Sequence, residues 1–334
     1  MTTDAEFPSR VRRVAVWPKA PWLLAFLAFV LPNLAEATDV AIIRYLDADG
    51  VISIVGHGPA TPDTPFAIAS IGKTMTSVAV LRLVSRGKLV LDDGIAAQIP
   101  AKTLAGLPQL SEVTLRHLLT MSSGLPDYLD DAYIANALAD PAKVQNPLAA
   151  LRYAYGESPL FPPGQGFDYS NTNYVLLGLI LEEVTGQTYS EAMDDLVFQP
   201  AGMDRTFVFG SAPLPDNFPN GHEDGEHYRS YYMFDGFGDG GVIAPAPDLA
   251  RFFRALFVEQ TLLTDAMMAE FLHDTFDEGY GMGIEVDGAI VGHSGGDLGF
   301  SSDARLDRDN GTLAIILSSS ADTDTDWTFE VLGQ

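Results

Sequence analysis

Segments typical of β-strands lie towards both ends of this chain, and segments typical of α-helices fill the middle. Residues 40–45 and 51–55 are rich in β-branched side chains and flank Asp47-Ala48-Asp49-Gly50, a hairpin signal. The later strand-like segments are residues 281–286, 289–291, 302–306 and 312–317. This order predicts an α/β (α+β) fold, in which one antiparallel sheet is built from both chain ends and flanked by helices.

The predicted organisation is a single unit over residues 38–334. Its sheet part comprises about residues 38–73 and 238–334, and a mainly helical insert occupies about residues 74–237. The predicted helices cover residues 70–86, 115–121, 147–155, 173–185, 189–198, 248–257 and 327–332. No internal repeat or low-complexity segment interrupts this organisation.

The composition narrows the possible partners. The chain has 45 Asp and Glu against 19 Lys and Arg, which gives a formal net charge of -26. Such a surface repels nucleic acid and anionic lipid headgroups, so neither is expected as a partner. Cysteine is absent, which excludes disulfides, thiolate metal sites and a cysteine nucleophile.

The first 37 residues have the three-part layout of a secretory signal peptide. Basic residues including Arg12 and Arg13 precede an apolar run at residues 22–31, and Ala35-Glu36-Ala37 fits a small-x-small cleavage site. Because the apolar run is too short to span a bilayer, no stable membrane anchor is expected after cleavage. The prediction is a periplasmic or secreted protein, and Arg12-Arg13 raises the twin-arginine route of export.

Ser70-Ile71-Gly72-Lys73 is the first candidate catalytic element. On a helix, a spacing of three places Ser70 and Lys73 side by side, with the hydroxyl at the helix N-terminus, where free N–H groups favour negative charge. A lysine in a partly dry pocket can lose its proton and act as a base toward the serine. The same pattern also arises as an ordinary serine cap followed by a lysine, so a second element is needed.

Tyr169-Ser170-Asn171 is the second candidate element, and it follows a Pro-Gly loop and precedes a predicted helix. Residues two apart in an extended segment can point into the same cavity. There the Tyr169 phenol could shuttle a proton, and the Asn171 amide could hold both the lysine and a substrate carbonyl. The alternative is a turn in which Asn171 caps the following helix.

Gly292-His293-Ser294-Gly295-Gly296 fits the G-x-S-x-G nucleophile elbow of α/β-hydrolases. That fold needs its triad in the order Ser, acid, His, but no histidine follows Ser294. The segment after Ser294 is also a poor start for the helix that an elbow leads into. Ser294 is therefore rejected as the nucleophile.

Together, these three elements resemble the motifs of the serine β-lactamase and penicillin-binding superfamily. The branch is that of class C β-lactamases, serine DD-carboxypeptidases and related esterases. The matching residues are Ser70 and Lys73 of the first motif, Tyr169 and Asn171 of the second, and His293, Ser294 and Gly295 of the third. The similarity covers about residues 40–320.

The resemblance implies a division of labour. Ser70 would attack a carbonyl and form an acyl-enzyme, while Lys73 and Tyr169 would share the acid and base roles. Asn171 would orient Lys73 and the substrate. The backbone N–H groups of Ser70 and Gly296 would form the oxyanion hole.

The third motif would bind substrate. Ser294 would donate a hydroxyl to the substrate, and Gly295 would allow the approach. His293 stands where many β-lactamases carry lysine, and H-x-G is commoner among carboxypeptidase-like and esterase-like members. Because no Arg or Lys occurs between Arg254 and Arg305, the chain offers little in this region for a free substrate carboxylate.

Two further patterns are interpreted as structural. The segment from His222 to His227 has the wrong spacing for a metal site, and neither a metal nor another cofactor is expected. The glycine-rich residues 235–241 resemble a phosphate-binding loop only in composition, because no strand precedes them.

The sequence therefore predicts an exported serine hydrolase that acts through an acyl-enzyme on an ester or amide. The activity is expected to be DD-carboxypeptidase-like or esterase-like, on a small molecule or peptide with an ester or amide carbonyl. Two alternatives stay open: a true β-lactamase, and a non-catalytic β-lactamase-like binding protein.

Overall fold

The computed structural model describes residues 41–47 and 50–332 of the chain. The predicted signal peptide, with its arginine pair and cleavage site, lies outside the described residues. Within them, none of the helices has the length and apolar character needed to cross a membrane.

The strands have the following bounds: β1 Ala41–Asp47, β2 Gly50–His57, β3 Pro65–Ala67, β4 Phe207–Val208, β5 His222–Glu223, β6 Glu226–His227, β7 Val242–Pro245, β8 Glu285–Asp287, β9 Ile290–Asp297, β10 Phe300–Asp307 and β11 Leu313–Ser318. Six of them form an antiparallel sheet in the order β2-β1-β11-β10-β9-β8. In this sheet β1 pairs with β11, so the N-terminal hairpin joins strands from the far end of the chain. The predicted sheet built from both chain ends is confirmed.

The helices lie mostly between β3 and β4. They are Ile71–Ser85, Ala101–Gly106, Leu115–Leu119, Asp131–Ala139, Pro141–Val144, Pro147–Ala150, Asn171–Thr185, Tyr189–Met193, Gln199–Ala201, Ala246–Phe253, Asp265–Phe271 and Trp327–Leu332. Short 3₁₀ or π-helical turns extend several of them, for example Leu151–Ala154 and Asp194–Phe198. The last part of the predicted helical insert differs from the prediction, because the short strands β4, β5 and β6 lie there.

The helix Ile71–Ser85, called the central helix below, is buried along most of its length. Its buried hydroxyls have partners in distant segments, as buried polar groups require. Thr74 Oγ1 donates to the carbonyl of Gly283 at 2.7 Å, and the Ser77 and Tyr174 hydroxyls lie 2.9 Å apart. These bonds fix the position of the helix whose first turn carries Lys73.

The two faces of β10 meet different parts of the chain. The Ser302 hydroxyl donates to the carbonyl of Ile68 at 2.9 Å, just before the central helix. On the opposite face, the Thr328 hydroxyl of the C-terminal helix donates to Asp303 at 2.6 Å. Because side chains alternate along a strand, the sheet lies between these two segments.

The prediction of a strand over residues 281–286 is wrong, because β8 covers only Glu285–Asp287. A turn precedes it, in which Gly281 N–H donates to the carbonyl of Ile284 at 2.8 Å. Gly283 has a φ of 74°, and a Cβ there would lie 2.4 Å from the Tyr174 hydroxyl and 2.5 Å from the Ser77 hydroxyl of the central helix. Close packing against the central helix therefore replaces the strand.

Candidate active site

Ser70 stands directly before the central helix, after a strained turn. Ala69 has a φ of 46°, in the left-handed region that residues with a Cβ rarely adopt. Since β3 ends at Ala67, the chain passes from strand to helix within three residues. Among the described residues, the Ser70 N–H has no hydrogen-bond partner, so it can donate to a ligand.

Lys73 is fully buried one helical turn from Ser70. Its Nζ donates to Ser70 Oγ at 2.9 Å and to the backbone carbonyl of Asp239 at 2.5 Å. The same Nζ lies 5.1 Å from the centroid of the Tyr169 ring. The structure thus brings the first two predicted motifs together around one amine.

Tyr169 is the exposed member of this group, with 37% of its surface accessible. Its ring lies 5.9 Å from that of Tyr280 and 6.2 Å from that of His293, centroid to centroid. A phenol that is open on one side and beside a buried amine on the other can pass a proton between them.

Asn171 is held by Asp127, which sequence reasoning missed. Its Nδ2 donates to Asp127 Oδ2 at 2.8 Å, and its backbone N–H donates to Oδ1 at 3.2 Å. The predicted contact between Asn171 and Lys73 is not among the described hydrogen bonds of either residue. Asp127 directly follows Gly124-Leu125-Pro126, 44 residues before Asn171 in the chain.

Strand β9 runs beside the turn that carries Ser70, and Gly295 is the point of closest approach. A Cβ on Gly295 would lie 2.6 Å from the carbonyl oxygen of Ile68 and 3.1 Å from the Cβ of Ala69. The glycine therefore lets β9 pack against this turn, whereas the sequence predicted that it would let a substrate approach.

The edge of β9 away from β10 faces the cavity at Ser70. Ser294 N–H points to this edge, because it donates to Glu285 Oε1 at 3.0 Å. N–H groups two residues apart in a strand point the same way, so the Gly296 N–H points to this edge too. Ser70 and Gly296 line one small cavity of about 50 Å³, as an oxyanion hole requires.

The Ser294 hydroxyl also donates to Glu285 Oε1, at 2.9 Å. Arg305 forms an ion pair with the other oxygen of Glu285 at 2.5 Å. Burial alone would raise the pKa of Glu285, but the neighbouring His293 and Arg305, together with the Ser294 N–H, hold this pKa below its usual range. An ionised Glu285 thus orients Ser294, and the hydroxyl predicted to meet the substrate already has an internal acceptor.

His293 is 2% exposed and lies beneath the aromatic rings of Tyr169 and Tyr280. Because a carbonyl only accepts, Nδ1 donates to the Ser294 carbonyl at 2.6 Å, and Nε2 then accepts from the Tyr280 hydroxyl at 3.1 Å. Burial lowers the pKa of His293 to about 4, so the ring is neutral near pH 7. It supports the site from behind rather than lining the cavity.

The glycine-rich residues 235–241 form a wall of the site, a role that their composition alone did not reveal. Gly240 packs against the strained turn, where its Cβ would lie 3.0 Å from the carbonyl carbon of Ala69. This approach places the carbonyl of Asp239 on Lys73 Nζ. The Asp239 carboxylate, also missed, accepts from the Tyr128 hydroxyl at 2.7 Å.

The other candidate from the sequence is a small hairpin. His222 and His227 face each other across β5 and β6, with ring centroids 6.3 Å apart. In the part of the chain that the structure describes, no three potential ligand residues group closely enough to hold a metal ion.

A larger cavity of about 580 Å³ lies elsewhere and includes neither Ser70 nor Gly296. It shares Phe209, Asp235 and Phe237 with the small cavity as a common wall. The small cavity is the candidate active site, because the candidate nucleophile and the backbone donors are found there.

The similarity of this chain to known proteins extends over nearly its whole length. The Beta-lactamase family model matches residues 40–330. A penicillin-binding protein of Bacillus subtilis is 30% identical over 285 residues, which cover 78% of this chain and 62% of that protein. Esterase EstB of Burkholderia gladioli is 35% identical over 197 residues, 55% of this chain and 48% of the esterase. The chain thus spans less than two thirds of the length of these relatives.

Solved structures share the fold. A D-stereospecific amidohydrolase from Streptomyces superposes with a TM-score of 0.76 over 92% of this chain and 97% of that one, at 24% identity. A penicillin-binding protein homologue from Pyrococcus abyssi gives a TM-score of 0.78 over 93% of this chain and 76% of that one, also at 24% identity.

Proposed function

This chain belongs to the Beta-lactamase family, and on that premise we propose that it is a serine hydrolase that cleaves an ester or amide through an acyl-enzyme. The observation that carries the proposal is the 2.9 Å contact between Lys73 Nζ and Ser70 Oγ. A nucleophile needs a base within hydrogen-bond reach, and this buried amine is such a base.

Acylation follows from the positions of these groups. When the Lys73 amine is neutral, it takes the Ser70 hydroxyl proton as Oγ bonds to the substrate carbonyl carbon. The negative charge that develops on the carbonyl oxygen is stabilised by the N–H groups of Ser70 and Gly296, and each such donor contributes about 3 kcal/mol. As the bond to the leaving group breaks, Tyr169 gives that group a proton and recovers one from Lys73.

Deacylation uses the same groups in reverse. A water molecule attacks the acyl carbon as its proton passes to Lys73, either directly or through Tyr169, which takes this proton and hands its own to Lys73. The same N–H groups again hold the oxyanion. Ser70 leaves with a proton returned from Lys73, and the carboxylic acid product departs. Water, substrate and enzyme protons balance over one cycle.

Between the DD-carboxypeptidase-like and esterase-like activities, the charges at the site favour the second. A carboxypeptidase must bind the free carboxylate at the end of its substrate. The buried His293 is neutral, and no Arg or Lys lines the cavity at Ser70 in the described part of the chain. A neutral leaving group fits these surroundings better than an anionic one.

We extend the proposal to export, which the layout of residues 1–37 supports. The protein would act in the periplasm or outside the cell after cleavage near Thr38. N-terminal sequencing of the protein from a periplasmic fraction tests this, and recovery of residue 1 from the cytoplasm alone would contradict it.

The test of catalysis is the hydrolysis of p-nitrophenyl butyrate together with labelling by a fluorophosphonate. We expect Ser70→Ala to lose both, with kcat/KM falling by at least about 10³-fold. Ser294→Ala loses one hydrogen bond and should retain activity, at about a fifth to a tenth of the parent kcat/KM.

Ser111→Ala, which changes an exposed serine, is the control and should match the parent. Hydrolysis by Ser70→Ala at the parent rate would show that the nucleophile is misassigned. A folded parent protein that neither labels nor hydrolyses would favour the non-catalytic alternative.

A further inference from the structure

The small cavity beside Ser70 is lined by acidic side chains without a basic one. Asp239 and Asp297 line it, and the exposed Asp235 stands at its rim. No Lys, Arg or His is among the described residues that line it. Lys73 is not among the lining residues, and its Nζ is already bonded to Ser70 and to a backbone carbonyl.

The two inner carboxyl groups are held out of bulk water. Asp239 is 9% exposed, and burial raises the pKa of its carboxyl. Asp297 is half-buried, and burial raises its pKa to about 6. Because Asp297 follows Gly296 in β9, its carboxyl lies one residue from the predicted oxyanion donor.

The partners of these two carboxyl groups among the described residues are neutral donors. Asp239 Oδ2 accepts from the Tyr128 hydroxyl at 2.7 Å, and Asp297 Oδ1 accepts from the Leu298 N–H at 2.8 Å. A carboxylate away from bulk water is costly without an opposite charge, so a cation bound in the cavity would remove this cost. A metal ion is disfavoured as that cation, because the described residues bring no three ligand side chains together.

Gln145 points independently to a ligand that donates hydrogen bonds. It is 4% exposed and lines the same cavity, yet its Oε1 has no partner among the described residues. Buried acceptors are almost always satisfied. The cavity thus offers three acceptors on separate segments of the chain: Gln145 Oε1 and the carboxyl groups of Asp239 and Asp297. Three acceptors suit a ligand group that has several N–H donors.

We infer that this cavity binds a protonated amine, so that preferred substrates carry an ammonium group close to the scissile carbonyl. Amides and esters of amino acids with a free α-amino group belong to this class. The inference rests on the proposed hydrolase function and names the substrate class of that same site. The ammonium would contact Asp239, Asp297 and Gln145 while the carbonyl oxygen meets the N–H groups of Ser70 and Gly296.

The first experiment measures inhibition of p-nitrophenyl butyrate hydrolysis near pH 7, where an α-amino group is largely protonated. The probes are alaninamide, as each enantiomer, and propionamide, which has the same carbon skeleton without the amine. We expect at least one enantiomer of alaninamide to inhibit about tenfold more tightly than propionamide. Equal inhibition by all three would overturn the inference.

The second experiment measures turnover of alanine p-nitroanilide and its N-acetyl derivative, whose acetyl group removes the charge. The parent should prefer the free amine by at least about tenfold in kcat/KM. Asp297→Asn and Asp239→Asn should each lower this ratio toward one, chiefly through KM for the free amine. Should both variants keep the parent ratio, the carboxylates do not hold the amine.

Asp204→Asn is the matched control, because it removes one exposed carboxylate outside the cavity. It should keep the parent ratio, so that a general effect of lost negative charge is separated from a local one. Hydrolysis of p-nitrophenyl butyrate reports separately on the proposed function. A protein active on that ester without any preference for the amine contradicts only the ammonium site, whereas a protein inactive on it contradicts the hydrolase function.

Discussion

Hydrogen bonds within the protein occupy the His293 side chain, so that it stabilises the site instead of binding a substrate. Both ring nitrogens are engaged internally, Nδ1 with the Ser294 carbonyl and Nε2 with the Tyr280 hydroxyl. Protonation of Nε2 would place its N–H donor against the O–H donor of Tyr280 in a buried position. Burial opposes that charge more strongly than Glu285 favours it, although Glu285 Oε1 lies 3.3 Å from Nδ1, so the pKa of His293 lies at about 4 instead of the ordinary 6.5.

Stability should therefore depend on pH through this residue. The unfolded imidazole takes up a proton near pH 6.5 and the folded one only near pH 4. The stability that neutral His293 contributes is fully present above about pH 6.5 and is lost as the pH falls toward 4. Relative to His293→Gln, the parent should lose about 2 to 3 kcal/mol more between pH 7 and pH 4.5.

Urea unfolding at the two pH values measures this difference. His273→Gln, which changes an exposed histidine, serves as the control and should follow the parent. If His293→Gln shows the same pH dependence as the parent, His293 does not titrate in this way.

At the level of elements, the site depends on how closely β9 approaches the turn before the central helix. Gly295 pairs with Ser302 of β10, and the Ser302 hydroxyl in turn holds the carbonyl of Ile68. Three segments therefore meet at one residue that has no side chain. The position of the Gly296 N–H relative to Ser70 follows from this contact.

Gly295→Ala should disrupt both stability and activity. Its Cβ would lie 2.5 Å from Ser302 Oγ and 2.6 Å from the Ile68 carbonyl oxygen, so β9 must move away from the turn. We expect a loss of about 1 to 3 kcal/mol of unfolding free energy and a fall in kcat of at least about tenfold. Thermal unfolding and p-nitrophenyl butyrate hydrolysis measure the two effects.

Gly296→Ala is the comparison for stability, because a Cβ at this neighbouring position meets no atom within 4 Å. Its melting temperature should stay near that of the parent. Equal melting temperatures for the parent and Gly295→Ala would show that β9 tolerates the side chain.

For the whole molecule, the dominant property is the formal net charge of -26. Like charges repel one another more in the compact state than in the expanded chain, and salt screens this repulsion. Raising NaCl from about 0.05 M to about 0.5 M should therefore raise the melting temperature by several degrees. Scanning calorimetry at both concentrations tests this, and a falling melting temperature would mean that salt-sensitive ion pairs outweigh the repulsion.

Much of the fold and part of the site follow from local sequence patterns. The β-rich segments towards both chain ends predict the sheet. The spacing of three between Ser70 and Lys73 predicts their contact, because helix geometry places such residues side by side. The strand at residues 281–286 was mispredicted, since the packing of Gly283 against Tyr174 outweighs local preference there.

By itself, then, the sequence determined the family motifs, the order of strands and helices and the Ser70–Lys73 pair, all of which depend on residues near one another in the chain. Only the tertiary structure decided the partners of those groups. The Asp239 carbonyl meets Lys73 across 166 residues, and Asp127 holds Asn171 across 44. Such contacts arise when separate segments pack into one core, and no local pattern encodes which side chains then meet or how their charges balance.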